Sequence, residues 1–251
     1  MRLAIFTLVY LALCLDVRGA IAFKSITSSA DSAASLTISN GTSANVATDD
    51  LIVVIVSHGG NIANATGVAC GSNTLTRAVS STYSTENFGL EAWYKSGAVA
   101  GATTTCTATW ATQQTYRVIV VAVYSGIATS SPIDVSSCNE SGCASITTNA
   151  TNRTAQNVTT TQADDLLVWA SVDWFTHNWT AANSFNLRLS TTGTDYMLAD
   201  KIISSTGVHP NGNVATVTDE ADDKYLSVFV AFKAAGSSGG GVVRRRTVIS
   251  Q

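Results

Sequence analysis

The apolar residues of this chain fall into short runs separated by clusters of Gly, Asn, Asp and Ser. Leu51 to Val56 and Val118 to Val123 are apolar at every position, the pattern of central strands covered on both faces. Gly89 to Tyr94 and Thr103 to Trp110 alternate instead, as half-buried strands do. Val, Ile, Thr, Tyr and Phe dominate these runs, and no stretch joins a helical stripe to helix caps. The pattern predicts an all-β protein of about 8–10 antiparallel strands in two packed sheets, a jelly-roll-like sandwich.

The pattern also repeats. Asp49-Asp50-Leu51-Ile52-Val53-Val54 is echoed by Asp164-Asp165-Leu166-Leu167-Val168-Trp169, and Tyr116-to-Val123 by Tyr225-to-Phe232. Between them, Leu75-Thr76-Arg77 matches Leu187-Arg188, and Ala92-Trp93-Tyr94-Lys95 matches Leu198-Ala199-Asp200-Lys201, in the same order. Two related halves are therefore expected within residues 23–235, at about 35–126 and 147–235; two copies are too few for a solenoid, which needs about three.

Both ends of the chain differ from this body. Met1 and Arg2 precede an apolar stretch from Leu3 to Leu15 and then small residues, so residues 1–22 read as a secretory signal peptide with Ala20-Ile21-Ala22 as its cleavage site. The stretch is short for a membrane span of about 20 residues. Residues 236–251 read as a Gly/Ser linker followed by a basic, β-prone tail, Val242-Val243-Arg244-Arg245-Arg246-Thr247-Val248-Ile249.

Composition narrows the class further. Charged residues are 12% of the chain, about half the usual share. Coiled coils and charged helical bundles are thereby excluded, and the net charge of -3 argues against nucleic acid as a partner. After loss of Cys14 with the signal, Cys70, Cys106, Cys138 and Cys143 remain, an even number that reads as two disulfides and leaves three pairings open. No C-x-x-C pair supports zinc, and His58, His177 and His209 stand far from the cysteines in sequence. Seven N-x-S/T sequons, at Asn40, Asn64, Asn139, Asn149, Asn152, Asn157 and Asn178, mark candidate glycosylation sites.

Phe23-Lys24-Ser25, Ser35-Leu36-Thr37-Ile38, Asp49-Asp50-Leu51-Ile52-Val53, Trp93-Tyr94-Lys95 and Val120-to-Gly126 followed by Ser131-Pro132-Ile133-Asp134 resemble a jelly-roll-like β-sandwich domain. Such domains are found in secreted bacterial surface proteins and phage tail or fibre proteins. The likeness spans about residues 23–235, and this chain departs from it at its cysteines and at the short polar Asn61-to-Asn73 loop. The resemblance implies structural or adhesive work and brings no catalytic residues with it.

The candidate sites fit that expectation. Paired Asp residues before strands are turn formers, and no D-x-D-x-D-G run supplies the converging oxygens of a calcium loop. Neither a nucleophile elbow, a G-x-S-x-G turn between a strand and a helix, nor a recognisable carboxylate pair suggests an enzyme. Trp174, His177 and Trp179 form an aromatic cluster that packing explains best, with glycan binding as its alternative. The function expected is a secreted, extracellular structural protein, self-assembling and glycosylated, a subunit of a fibre or surface layer. Its partners would be copies of itself, with glycans second and neither nucleic acid nor, after signal removal, membrane; no cofactor or metal is expected. Assembly would use terminal strands: Phe23 and Ile26 at one end, or Val242, Val243, Arg244 to Arg246, Val248 and Ile249 at the other.

Overall fold

The computed structural model describes residues 20–40, 44–85, 87–138, 147–148, 152–154, 156–189, 194–217 and 224–236. These residues are all-β and their ladders are antiparallel, as the apolar pattern predicts. The first ten strands are β1 (Ala22–Asp31), β2 (Ser35–Ser39), β3 (Ala44–Val46), β4 (Leu51–Gly59), β5 (Gly67–Cys70), β6 (Asn73–Thr74), β7 (Thr76–Tyr83), β8 (Phe88–Lys95), β9 (Gly101–Thr104) and β10 (Cys106–Ser125). Next come β11 (Ile133–Cys138), β12 (Thr147–Thr148), β13 (Asn152–Thr154), β14 (Val158–Thr160), β15 (Leu166–His177) and β16 (Trp179–Ala181). The last are β17 (Asn186–Leu189), β18 (Thr194–Ile202), β19 (Gly207–His209), β20 (Asn213–Val217) and β21 (Lys224–Phe232). The count exceeds eight to ten because each half is itself a pair of sheets.

The halves share one topology. An inner sheet runs β7-β8-β4-β10-β1 in the first unit and β17-β18-β15-β21-β11 in the second. An outer sheet sets β10 between β2 and β5, and its counterpart sets β20 between β13 and β16. The small pair β3-β9 corresponds to β14-β19. Thus β1 and β11 belong to the units they precede, which run from about Ala22 and Ile133, earlier than the sequence repeat suggests.

Four layers result, and they explain the runs that are apolar on both faces. Along β4, Ile52, Val54 and Val56 point into the core of the first unit with Trp93, Trp110 and Ile119. Leu51, Val53 and Ile55 point the other way and meet Leu166, Val168, Leu226 and Val230 of the second unit. The second unit's own core gathers Leu167, Trp169, Trp179, Met197 and Phe229. The inner sheets therefore pack on each other, and the outer sheets face solvent. On the first outer sheet the solvent side carries Thr37, Ser39, Thr109 and Thr74, all uncharged.

Candidate functional site

The terminal strands come first. β1 is not a free segment: it pairs with β10 from Ala22↔Ser125 to Asp31↔Arg117. Phe23 and Ile26 are half-buried against the core between the units. The Phe23 ring meets Tyr124 edge-on at 5.7 Å between centroids, and the Arg188 guanidinium of the second unit lies 4.2 Å over it. The N-terminal strand is therefore covered within its own chain and not exposed, because an open β10 edge with an apolar face is best covered by the nearest strand. Val242, Val243, Arg244, Arg245, Arg246, Val248 and Ile249 lie outside the described residues.

The aromatic cluster is not a loop. Trp174 and His177 fall on β15, Trp179 opens β16, and only Asn178 separates the two strands. Trp179 is 6% exposed in the second core, so it offers no platform to a sugar ring. The side chains of Trp174 and His177 are outside those described.

The sequons divide by burial. Asn40 is 1% exposed; its amide nitrogen donates to Thr27 Oγ1 at 3.0 Å and its oxygen accepts from the Cys106 N–H. A glycan there has no room in the folded chain, and Asn40 is withdrawn as a candidate. Asn64 is half-buried, whereas Asn152, Asn157 and Asn178 are exposed. Asn152 and Asn157 accept hydrogen bonds through their side-chain oxygens, from Asn213 and Asn211. Asn139 and Asn149 lie outside the described residues.

Of the three cysteine pairings, the structure joins Cys70 to Cys106, opposite residues on β5 and β10. Cys138 is disulfide-bonded too, and Cys143 lies outside the described residues. With 36 residues of separation, the first bond limits the unfolded chain by about 3–4 kcal/mol in the loop-entropy account.

Sequence reasoning missed the buried polar groups. Glu91, fully buried on β8, accepts from the Ala65 N–H at 2.7 Å, Trp93 Nε1 at 3.1 Å and Arg77 Nη1 at 3.3 Å. Burial nevertheless raises its pKa above the usual carboxylate value. His58 Nε2 is 3.7 Å from Glu91, and burial pushes the imidazole down to about 4, so it is neutral. Its ring fits because residue 89 opposite is glycine: a Cβ there would lie 2.4 Å from Nε2. In the second unit Arg153 reaches Asp173 through Nε at 2.9 Å and Nη2 at 2.6 Å, and its guanidinium stacks 4.8 Å from the Tyr225 ring centroid. The carboxylates of Glu91 and Asp173 are thus satisfied inside the protein by donors from their own unit.

Turn geometry accounts for the first Asp of each repeated pair, since Asp49 and Asp164 both have left-handed φ, 66° and 62°. The second Asp does more. Asp50 Oδ2 binds Lys24 Nζ at 2.5 Å and the Ala47 N–H at 2.7 Å. The ladders place Asp134 where Lys24 stands, since each is the extra residue of a bulge, between Phe23 and Ser25 or between Ile133 and Val135. Burial and then the adjacent Asp134 carboxylate push Asp165 up to about 7. Asp134 is held below the usual range, against the effect of burial, by the hydroxyl and N–H of Thr161.

A cleft of about 240 Å³ opens where the two units meet, lined by Asp31, Ser32, Tyr116, Arg117 and Asp195. Tyr116 is 67% exposed with φ 46°, at the corner where β10 passes from outer to inner sheet. A bulky residue held there stores on the order of 1–3 kcal/mol of strain. Arg117 is buried beneath it, donating to Asp31 Oδ2 at 2.7 Å and to the carbonyls of Ala33 and Thr37. Burial raises the Asp195 pKa. No family model matches the chain, and neither a curated protein nor a solved structure matches it.

Proposed function

We propose that the protein is an exported structural subunit of an extracellular fibre or surface layer, acting by strand complementation and sheet packing without chemistry. One observation carries the reading: each unit is completed at its edge by the strand that precedes it, β1 on β10 and β11 on β21. A strand held at an open edge by main-chain ladders is an element that a second copy can supply in the same register. The disulfide bonds suit an oxidising compartment. Among the described sequons, the exposed Asn152, Asn157 and Asn178 have room for glycans.

Locking β1 at home tests the idea. Ile26→Cys with Ala122→Cys joins opposed residues of β1 and β10. In a chain also lacking residues 236–251, oxidation of that pair is expected to abolish filaments seen by negative-stain microscopy, and reduction to restore them. Filaments of equal number and length in the locked, truncated chain would refute terminal-strand assembly.

Glycan binding is the second reading, and the cleft at Tyr116 favours it. An exposed ring beside the carboxylates of Asp31 and Asp195 offers a stacking face with hydroxyl-binding groups around it. The volume lies below the roughly 300–1,000 Å³ of drug-sized pockets and suits a single ring. Tyr116→Ala is expected to weaken binding of cellohexaose or chitohexaose at least tenfold by calorimetry, with Tyr116→Phe retaining it. Binding by neither sugar, or equal binding to the Ala variant, would remove this reading.

A further inference from the structure

The two units share one topology, so a place where they part is informative. Thr105 alone joins β9 to β10, whereas Pro210, Asn211 and Gly212 join β19 to β20. A neighbouring turn changes with it. The ladders set Thr76 opposite Tyr94 and Asn186 opposite Asp200, and counting back from these makes Asn73 and Asn183 equivalent. In the first unit Asn73 closes on the segment after β8: Nδ2 donates to the Val99 carbonyl at 3.1 Å and Oδ1 accepts the Val99 N–H at 2.8 Å. Asn183 turns to the added loop instead, donating Nδ2 to the Asn213 carbonyl at 2.6 Å.

A cleft of about 330 Å³ opens here, lined by Asn183, Ser184, Lys201, Val208, His209 and Asn211. Its walls are fixed by the backbone. Asn183 and Ser184, with φ of 50° and 62°, form a turn that the Phe185 N–H closes on the Ala182 carbonyl at 3.0 Å. Asn211, with φ 49°, donates its N–H to Asn157 Oδ1 at 3.1 Å. Gly212 allows the loop its approach, since a Cβ there would lie 2.8 Å from Asn183 Nδ2. Lys201 Nζ gives one hydrogen bond, to the Asn183 carbonyl at 2.9 Å, and no described carboxylate pairs with it. An ammonium has three protons to give, so donors remain. His209 Nε2 is shielded from water and has no described partner. None of the lining residues is acidic, and Val208 and Pro210 supply the little apolar surface present. A cation beside amides and a hydroxyl, which both give and accept hydrogen bonds, matches a hydroxylated ring that carries a carboxylate. The volume stands at the lower end of the roughly 300–1,000 Å³ of ligand sites. We propose that this cleft binds a uronate residue of an acidic polysaccharide, its carboxylate on Lys201 and its hydroxyls on Asn183, Ser184 and Asn211. This goes beyond the structural role, since it gives each subunit a hold on an anionic matrix, and it does not depend on the cleft at Tyr116.

The test is calorimetry of the full chain in low salt, where charge pairing is least screened, with trigalacturonate, trimannuronate and neutral cellotriose. At least one uronate is expected to bind at one site per chain, at least tenfold more tightly than cellotriose. Lys201→Met keeps the stem beside the Phe185 ring and removes the charge, so it should weaken that binding at least tenfold. Asn211→Gly keeps the left-handed backbone and removes the amide, with at least a threefold loss expected. Lys95→Met, the same change at the equivalent place in the first unit, should leave the affinity unchanged, and so should Tyr116→Ala. Binding by neither uronate overturns the site, as does cellotriose binding equally well. Unchanged affinity in Lys201→Met, or in Asn211→Gly should the first variant not fold, overturns it too. A loss in Lys95→Met or Tyr116→Ala equal to that in Lys201→Met does the same, because the sugar then lies elsewhere.

Discussion

His58 shows how one side chain constrains its neighbours and the pH response of the whole. Its ring requires Gly89 opposite, and its neutrality allows it to sit beside Glu91 without an exposed proton site. Unfolded, a histidine titrates near 6.5; folded, this one titrates near 4. The unfolded state therefore binds more protons between those values, so the contribution of His58 to stability is present above about 6.5 and is lost as pH falls toward 4. His58→Gln removes the titration. Relative to wild type, the variant should gain about 2–3 kcal/mol on going from pH 7.5 to 4.5, whatever its cost at neutral pH. Urea midpoints at the two pH values measure this, and a constant difference between variant and wild type would show that His58 does not titrate as its burial implies. Glu91 works in the opposite sense, since a raised carboxyl favours the folded state less as pH rises through its folded pKa. Comparing variant with wild type cancels that contribution to first order.

At the scale of strands, the sequence reads well where pattern and turn chemistry coincide. The Asp-Asp pairs announce β4 and β15, and the ladder registers confirm that Trp93-Tyr94-Lys95 is equivalent to Ala199-Asp200-Lys201, since they face corresponding residues of β4 and β15. The last match is displaced by one residue. Leu51 pairs with Tyr124 and Leu166 with Phe232, so Tyr124, not Val123, is the equivalent of Phe232. A run apolar on both faces carries no alternation to fix its register, and a slip of one exchanges the faces. The same lack of alternation hid the neighbour across the inner sheets: complete burial of β4 is legible, but whether a helix or another sheet covers it is not. Trp179 and Asn40 were illegible for a different reason. Aromatic clusters and sequons are local patterns, whereas the pairing of Trp179 with Val217 in the second core and the capture of Asn40 by the Cys106 N–H are made by strands distant in sequence. Likewise, the arginine partners of Glu91 and Asp173 lie 14 and 20 residues away, on other strands, at no spacing a motif would record.

For the molecule as a whole, the layer between the inner sheets decides whether this is one folding unit or two. It brings together the alternate side chains of β4, β10, β15 and β21, which are buried and apolar throughout, and Tyr124 and Phe232 close one end. Separating the units would expose all of these to water, at about 1.5–3 kcal/mol for each large side chain. Domain contacts of the ordinary kind are more polar and let their partners move; this one resembles the interior of a sandwich. The units should therefore unfold together. Tryptophans report on both, with Trp93 and Trp110 in the first core and Trp169 and Trp179 in the second, while far-UV circular dichroism follows every strand. A single coincident transition is expected in urea. Val230→Asp places a carboxylate in the shared layer, where the described neighbours are apolar, and should cost roughly 3–5 kcal/mol while moving both units' signals together. Thr109→Asp on the outer sheet faces solvent and should change stability by no more than about 0.5 kcal/mol. If Val230→Asp instead splits the curve, with the first unit unfolding at its wild-type midpoint, each sandwich is stable alone and the shared layer is a contact between domains.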